Sequence, residues 1–128
     1  MYQKSFIVSN NDVDKSFKLK VAAIFRYFQD IALLATEDLG VDSISLSKRN
    51  IDWVITRMAV EIKRLPNCDE EITVHTYPGK DMAMLYPRYF YISDSKGEVI
   101  ITASSVWALI NNVTRKVIVE SLDRKSVV

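Results

Sequence analysis

Lys18 to Gly40 reads KLKVAAIFRYFQDIALLATEDLG, and its periodicity decides how the remaining chain folds. At 100° per residue, Val21, Ile24, Phe25, Phe28, Ile31, Ala32, Ala35 and Leu39 gather on one broad side. Arg26, Gln29, Asp30, Thr36 and Glu37 gather on the narrow opposite side. No proline interrupts the stretch, and Gly40 stands where a left-handed cap ends a helix. Asp14 or Ser16 is placed to cap its start. A helix this apolar has to be wrapped rather than laid on a surface. From about Arg49 onward the chain reads as strand, so the pattern predicts an α+β domain whose antiparallel sheet curls round one long helix.

The strands are legible in turn. Tyr2 to Val8 is short, and the cluster Ser9-Asn10-Asn11-Asp12 turns the chain. Val41 to Asn50 is a polar loop with a short helical turn near 43–47. Ile51 to Leu65 is the first long strand, and its alternation points Val54, Thr56, Met58, Val60 and Ile62 at the helix. Pro66-Asn67-Cys68-Asp69 is a turn, and the next strand, Glu71 to Tyr77, sends Ile72, Val74 and Thr76 inward. Met84 to Ser93 is aromatic-rich. Asp94-Ser95-Lys96-Gly97 is a hairpin turn with glycine at the position that needs positive φ. Glu98 to Ile110 and Thr114 to Val119 complete a largely antiparallel meander.

Totals narrow the function. The chain has 128 residues and a net charge of +1, long enough for a real core and too balanced to suggest nucleic acid or an anionic membrane as partner. Cys68 is the sole cysteine, which excludes an internal disulfide and a cysteine-rich metal site and suits a reducing cytoplasm. MYQKSF is not the start of a signal peptide, and no stretch approaches the ~20 apolar residues of a membrane span. One histidine and no clustered acids leave too few ligands for a metal, and no cofactor motif is present.

Several strings sharpen the reading. They are Arg26-Tyr27-Phe28-Gln29-Asp30-Ile31-Ala32 on the helix and Trp53-Val54-Ile55-Thr56-Arg57 on the first long strand. Further on stand Ile72-Thr73-Val74-His75-Thr76-Tyr77-Pro78 and Arg88-Tyr89-Phe90-Tyr91-Ile92-Ser93-Asp94, then Ala103-Ser104-Ser105-Val106-Trp107-Ala108-Leu109-Ile110-Asn111 followed by Thr114-Arg115-Lys116. In this order they resemble the fatty acyl-ACP thioesterases of plants and bacteria, which have the hotdog fold. The resemblance implies a hydrolase of fatty acid biosynthesis and lipid metabolism that acts on acyl carrier protein or CoA thioesters. Members of that family carry two hotdog repeats, and this chain is similar to the first. Residues 1–128 are then one hotdog domain, with 121–128 as the possible start of a linker. The family's catalytic Asp-x-Asn-x-His segment lies in the second repeat. Its nearest counterpart here is Asp12-Val13-Asp14-Lys15-Ser16, in which Asp14 replaces the asparagine and Ser16 the histidine.

Thioester hydrolysis needs a base or nucleophile and donors for the developing oxyanion. Asp12, Asp14, Gln29 and Asp30 are the candidate catalytic residues. For each a bland role competes. Asp14 can cap the helix, and Asp30 can pair with Arg26 one turn earlier. Gln29, taken as a buried amide, needs a partner of some kind. Phe28, Trp53, Met58 and Trp107, with Met82 and Met84, are candidates to line an acyl tunnel or simply to form core. Lys18, Lys20, Lys48, Arg49, Lys63 and Arg64 form a basic rim suited to an acidic carrier protein, or a solvated face. His75 alternates away from the core. Three readings follow: the pocket repeat of a two-repeat thioesterase, a free-standing homodimeric thioesterase, or a non-catalytic acyl-binding hotdog. Each requires a homo-oligomer or a second repeat to close an edge strand and a helix flank.

Overall fold

A computed structural model describes residues 2–38 and 48–118, without the side chains of 36–38. The elements are β1 (Tyr2–Ile7), α1 (Val21–Asp38), β2 (Ile51–Ile62), β3 (Glu71–Pro78), β4 (Leu85–Asp94), β5 (Val99–Asn111) and β6 (Lys116–Val117), with a short 3-10 turn at Asn10–Asp12. Sheet order is β1-β3-β4-β5-β2, with β6 added to the end of β5, and every pair is antiparallel. The sheet curls round α1, which is the hotdog arrangement expected. The polar loop 41–47 and the cap at Gly40 lie outside the described residues.

The helix begins at Val21 rather than Lys18, because the chain before it is committed to a tight hairpin. Val13 bridges Leu19, and Asp14 accepts from the amides of Ser16 and Lys18. Asp14 therefore closes this turn and does not cap α1. Ile24, Tyr27, Phe28, Ile31 and Ala35 turn inward and are buried. The first four meet Ile72 and Val74 of β3, Phe90 and Ile92 of β4 and Ile101 and Ala103 of β5 in one cluster. Phe28 stacks on Phe90 at 4.6 Å between ring centroids, and Tyr27 stacks on Phe6 of β1 at 4.8 Å.

Only β3, β4 and β5 form a meander, for β2 leaves the helix and lies at the far edge beside β5. Its return link is pinned across the sheet end. Lys63 donates its amide to the Ile100 carbonyl and Leu19 donates to that of Pro66. Arg64 bridges Glu70 (2.6 Å) and Asp94 (3.1 Å). The alternation of β2 is also broken. A register shift between Ile55 and Arg57 inserts one residue, and an inserted residue swaps the faces of the strand around it. Met58 and Val60 do pack on the core. Val54, Thr56 and Ile62 are exposed instead of facing the helix, and before the shift it is Trp53 that turns toward Leu109 and Tyr86.

Candidate functional site

The concave face of the sheet carries two apolar compartments. Beneath α1 lies the closed cluster around Phe28, Phe90 and Ile92. Beyond the helix lies a second, formed by Ile51, Tyr86 and Leu109 with the half-buried Trp53, Trp107 and Ile118. Trp53 meets Tyr86 edge to face at 5.2 Å.

Between them runs a polar belt set by strand register, since Arg88 on β4 lies opposite Ser105 on β5, which lies opposite Met58 on β2. Arg88 Nη1 donates to Thr76 Oγ1 at 3.0 Å, and Thr76 Oγ1 donates to the Tyr89 carbonyl at 3.0 Å. Ser105 Oγ donates to the Arg88 carbonyl at 2.8 Å and accepts from Trp107 Nε1 at 2.9 Å. Thr76, Arg88 and Ser105 are all buried, so this chain of bonds fixes the Trp107 indole as a wall. The sequence reading did not find Arg88 or Ser105. The available signal was that Tyr86, Arg88, Phe90 and Ile92 share one face of β4.

Of the residues expected to line an acyl tunnel, Phe28 is fully enclosed. Trp53, Met58 and Trp107 remain half-buried around the belt. Met82 is 53% exposed, away from them.

The candidate catalytic residues are not brought together. Asp12 is tied to Arg26 at 2.7 Å and accepts from the Tyr27 hydroxyl at 3.1 Å. The hydrogen bond from Arg26 holds the Asp12 carboxyl below its usual pKa. Burial, then the bond to Asp12, pushes the Tyr27 phenol up to about 12. Arg26 thus reaches back to the loop rather than forward to Asp30. Gln29 and Asp30 are exposed on the outer side of α1, so Gln29 is not the buried amide expected. A lone inward acid with a partnered histidine is absent from the concave face among the described residues. No group of three or more potential metal ligands occurs among them either.

The histidine has a different surrounding. His75 stacks on Tyr91 at 4.1 Å on the convex face and shares a 3.0 Å hydrogen bond between Nε2 and Ser93 Oγ. Burial lowers its pKa, keeping the ring neutral near pH 7. It lines an open cavity of about 590 Å³ with Tyr77, Tyr89 and Tyr91, on the sheet face opposite the two apolar compartments. The pairing with Ser93 follows from the β3–β4 register, which the sequence does not display.

Two surfaces are left uncovered by the described residues. Among these residues β2 pairs with β5 on one edge only, and Val54 and Ile55 are each 36% exposed. On α1, Val21 and Phe25 are also exposed. At 100° per residue they lie beyond Phe28, on the side away from Tyr27 and β1 and therefore toward β2.

This geometry has known counterparts. The chloroplastic acyl-(acyl-carrier-protein) hydrolase FATB3 of Cuphea viscosissima is 28% identical over 122 residues, covering 90% of this chain and 30% of that protein. The palmitoyl-acyl carrier protein thioesterase of Arabidopsis thaliana is 23% identical over 91% of this chain and 30% of its own length. Among solved structures, an acyl-ACP thioesterase from Bacteroides thetaiotaomicron superposes with a TM-score of 0.86 at 28% identity, over 92% of this chain and 49% of that one. A DHNA-CoA thioesterase from Staphylococcus aureus shares the fold, with a TM-score of 0.85 at 22% identity over 97% of this chain and 82% of its own. The chain therefore spans about 30% of those curated relatives and about half of the Bacteroides enzyme. A family model of the acyl-ACP thioesterase N-terminal domain matches residues 1–121, so the chain belongs to the acyl-ACP thioesterase family, as its N-terminal domain.

Proposed function

We propose that this chain is the acyl-binding half of a thioesterase that releases fatty acids from acyl carrier protein, in fatty acid biosynthesis. The observation that carries the reading is the division of labour on the concave face. It has an open-sided apolar compartment and an ordered tryptophan wall for an alkyl chain, while the candidate acids are either tied up or exposed elsewhere. Trp53, Met58 and Trp107 contact the chain, and Phe28 backs the compartment from within. A facing hotdog repeat covers the β2 edge and the Val21–Phe25 flank, and it supplies the base. Residues 1–128 act as one hotdog unit of that assembly. Asp14, Gln29 and Asp30 are then the outward polar groups nearest to whatever faces the helix, and Asp12 serves through its tie to Arg26. No helix among the described residues is long and apolar enough to cross a membrane, and the unpaired Cys68 suits a reducing cytoplasm.

Thiol release from a panel of acyl-ACPs and acyl-CoAs tests the proposal. The expected result is acyl-ACP binding by this chain without turnover. Turnover by the chain alone, abolished in an Asp14→Ala, Gln29→Ala double variant, would replace this reading with a self-sufficient homodimer. Neither binding nor turnover would leave only a non-catalytic assembly role.

A further inference from the structure

The chain builds one tight turn twice. In Asp94–Gly97, the Asp94 amide donates to the Glu98 carbonyl at 2.9 Å and the Gly97 amide to the Asp94 carbonyl at 3.0 Å. Asp94 Oδ1 accepts from the amides of Lys96 and Glu98. Asp14–Phe17 repeats each bond. The Asp14 amide donates to the Lys18 carbonyl at 2.9 Å, and the Phe17 amide to the Asp14 carbonyl at 3.0 Å. Asp14 Oδ1 accepts from the amides of Ser16 and Lys18.

The last residue of each turn is left-handed, with φ of 84° at Gly97 and 60° at Phe17. Glycine or asparagine suits that position, where a bulky side chain is strained against its own backbone. Burial does not offset the strain at Phe17, because the residue is 63% exposed. The backbone is fully engaged, since the Phe17 carbonyl also accepts from the Cys68 amide. The ring is thus held outward in a costly conformation that the packing of the core does not use. Features of that kind belong to sites that meet something else.

The surroundings indicate what it meets. Lys15, Lys18 and Lys20, all within three residues of Phe17 along the chain, are exposed. Of the nearby carboxylates, Asp12 is paired with Arg26 and Asp14 accepts the turn amides, while Asp69, next to Cys68, is exposed. An aromatic anchor inside a basic rim is the complement of an acidic surface with a small apolar spot. A permanent interface with a second repeat is a poorer match, because such interfaces are depleted in lysine.

We infer that Phe17 anchors a docking site for an acidic protein, the carrier that presents the acyl thioester. This rests on the acyl-binding reading above. Titration of the full chain with unacylated acyl carrier protein at low salt tests it. Phe17→Gly should raise Tm by about 3 °C, by relieving the turn, and weaken carrier binding about tenfold. A Lys15→Glu, Lys20→Glu variant should weaken binding by a similar factor and flatten its salt dependence. Unchanged carrier affinity in Phe17→Gly overturns the docking site. So does a lowered Tm, which would show that the ring serves the fold. Titrating the wild-type chain with a fluorescent fatty acid separates the two claims. Fatty acid bound without carrier binding overturns the docking site and leaves the acyl-binding reading standing. Binding of neither overturns both.

Discussion

The two compartments of the concave face are lined by similar residue types and held in different ways. The one beneath α1 is closed on all sides, with Phe28, Ile31, Ile72 and Ile92 fully buried. The one beyond the belt keeps its large rings half-covered. Trp107 is fixed by a hydrogen bond to Ser105, and Trp53 by an edge contact with Tyr86. Close packing leaves no room for a guest, whereas a wall positioned by polar bonds stays ordered with one side open. The first compartment is where the fold's stability resides, and the second is where a substrate chain can lie.

Substitutions can break this contrast. Phe28→Ala should cost about 4 kcal/mol, because it empties a fully enclosed site that cannot collapse; urea unfolding measures it. Trp53→Ala should be milder on the same assay, and equal losses would erase the distinction between the compartments. Arg88→Met replaces the charged barrier with an apolar chain. Acyl preference should then move slightly toward longer chains, by about 0.8 kcal/mol or roughly fourfold in affinity for a methylene that packs against the new side chain, with no further gain because the compartment beneath α1 is closed. A chain-length profile of acyl-ACP binding reads this out, and an unchanged profile would mean that the belt is not the divider. Trp107→Phe keeps the ring but loses the donor to Ser105. About 1 kcal/mol of stability should go with it, together with sharpness in the length profile.

Acid should produce the smallest effect and sharpen the contrast, acting on the helix side. The folded-state pKa of Asp12 is depressed by Arg26. Its contribution is present above the ordinary carboxylate value and is lost as pH falls through the depressed one. Glu70 and Asp94 shift in the same direction beside Arg64, so the informative quantity is a difference. Asp12→Asn should be less stable than wild type at pH 7, and the gap should close as pH falls below the usual carboxylate range. A gap that persists there would show that the loss comes from packing.

How much of this was readable depended on the range of the interaction. The helix body and the strand cores were legible because Ile24, Phe28 and Ile31, or Ile72 and Val74, repeat at fixed local periods. The start of α1 was misjudged because Lys18 to Lys20 have helical composition but are held by Asn67 and Pro66, far along the chain. Thr56 and Arg57 are adjacent polar residues that suit either face of a strand, so the sequence does not show which residue is inserted there. Arg26 was paired with Asp30 by helical spacing, yet Asp12 reaches it from a preceding loop. The polar belt, like the His75–Ser93 bond, exists only once strands are in register, so the site was less legible than the fold.

The one-sided edge of β2 has a thermodynamic consequence. If a second strand completes it, as proposed, the folded state becomes a product of association as well as of folding. Its free energy then contains a concentration. Diluted, the isolated chain would melt lower than the same chain at high concentration, and the apparent stability of this half would report on how much of its complement is in the tube.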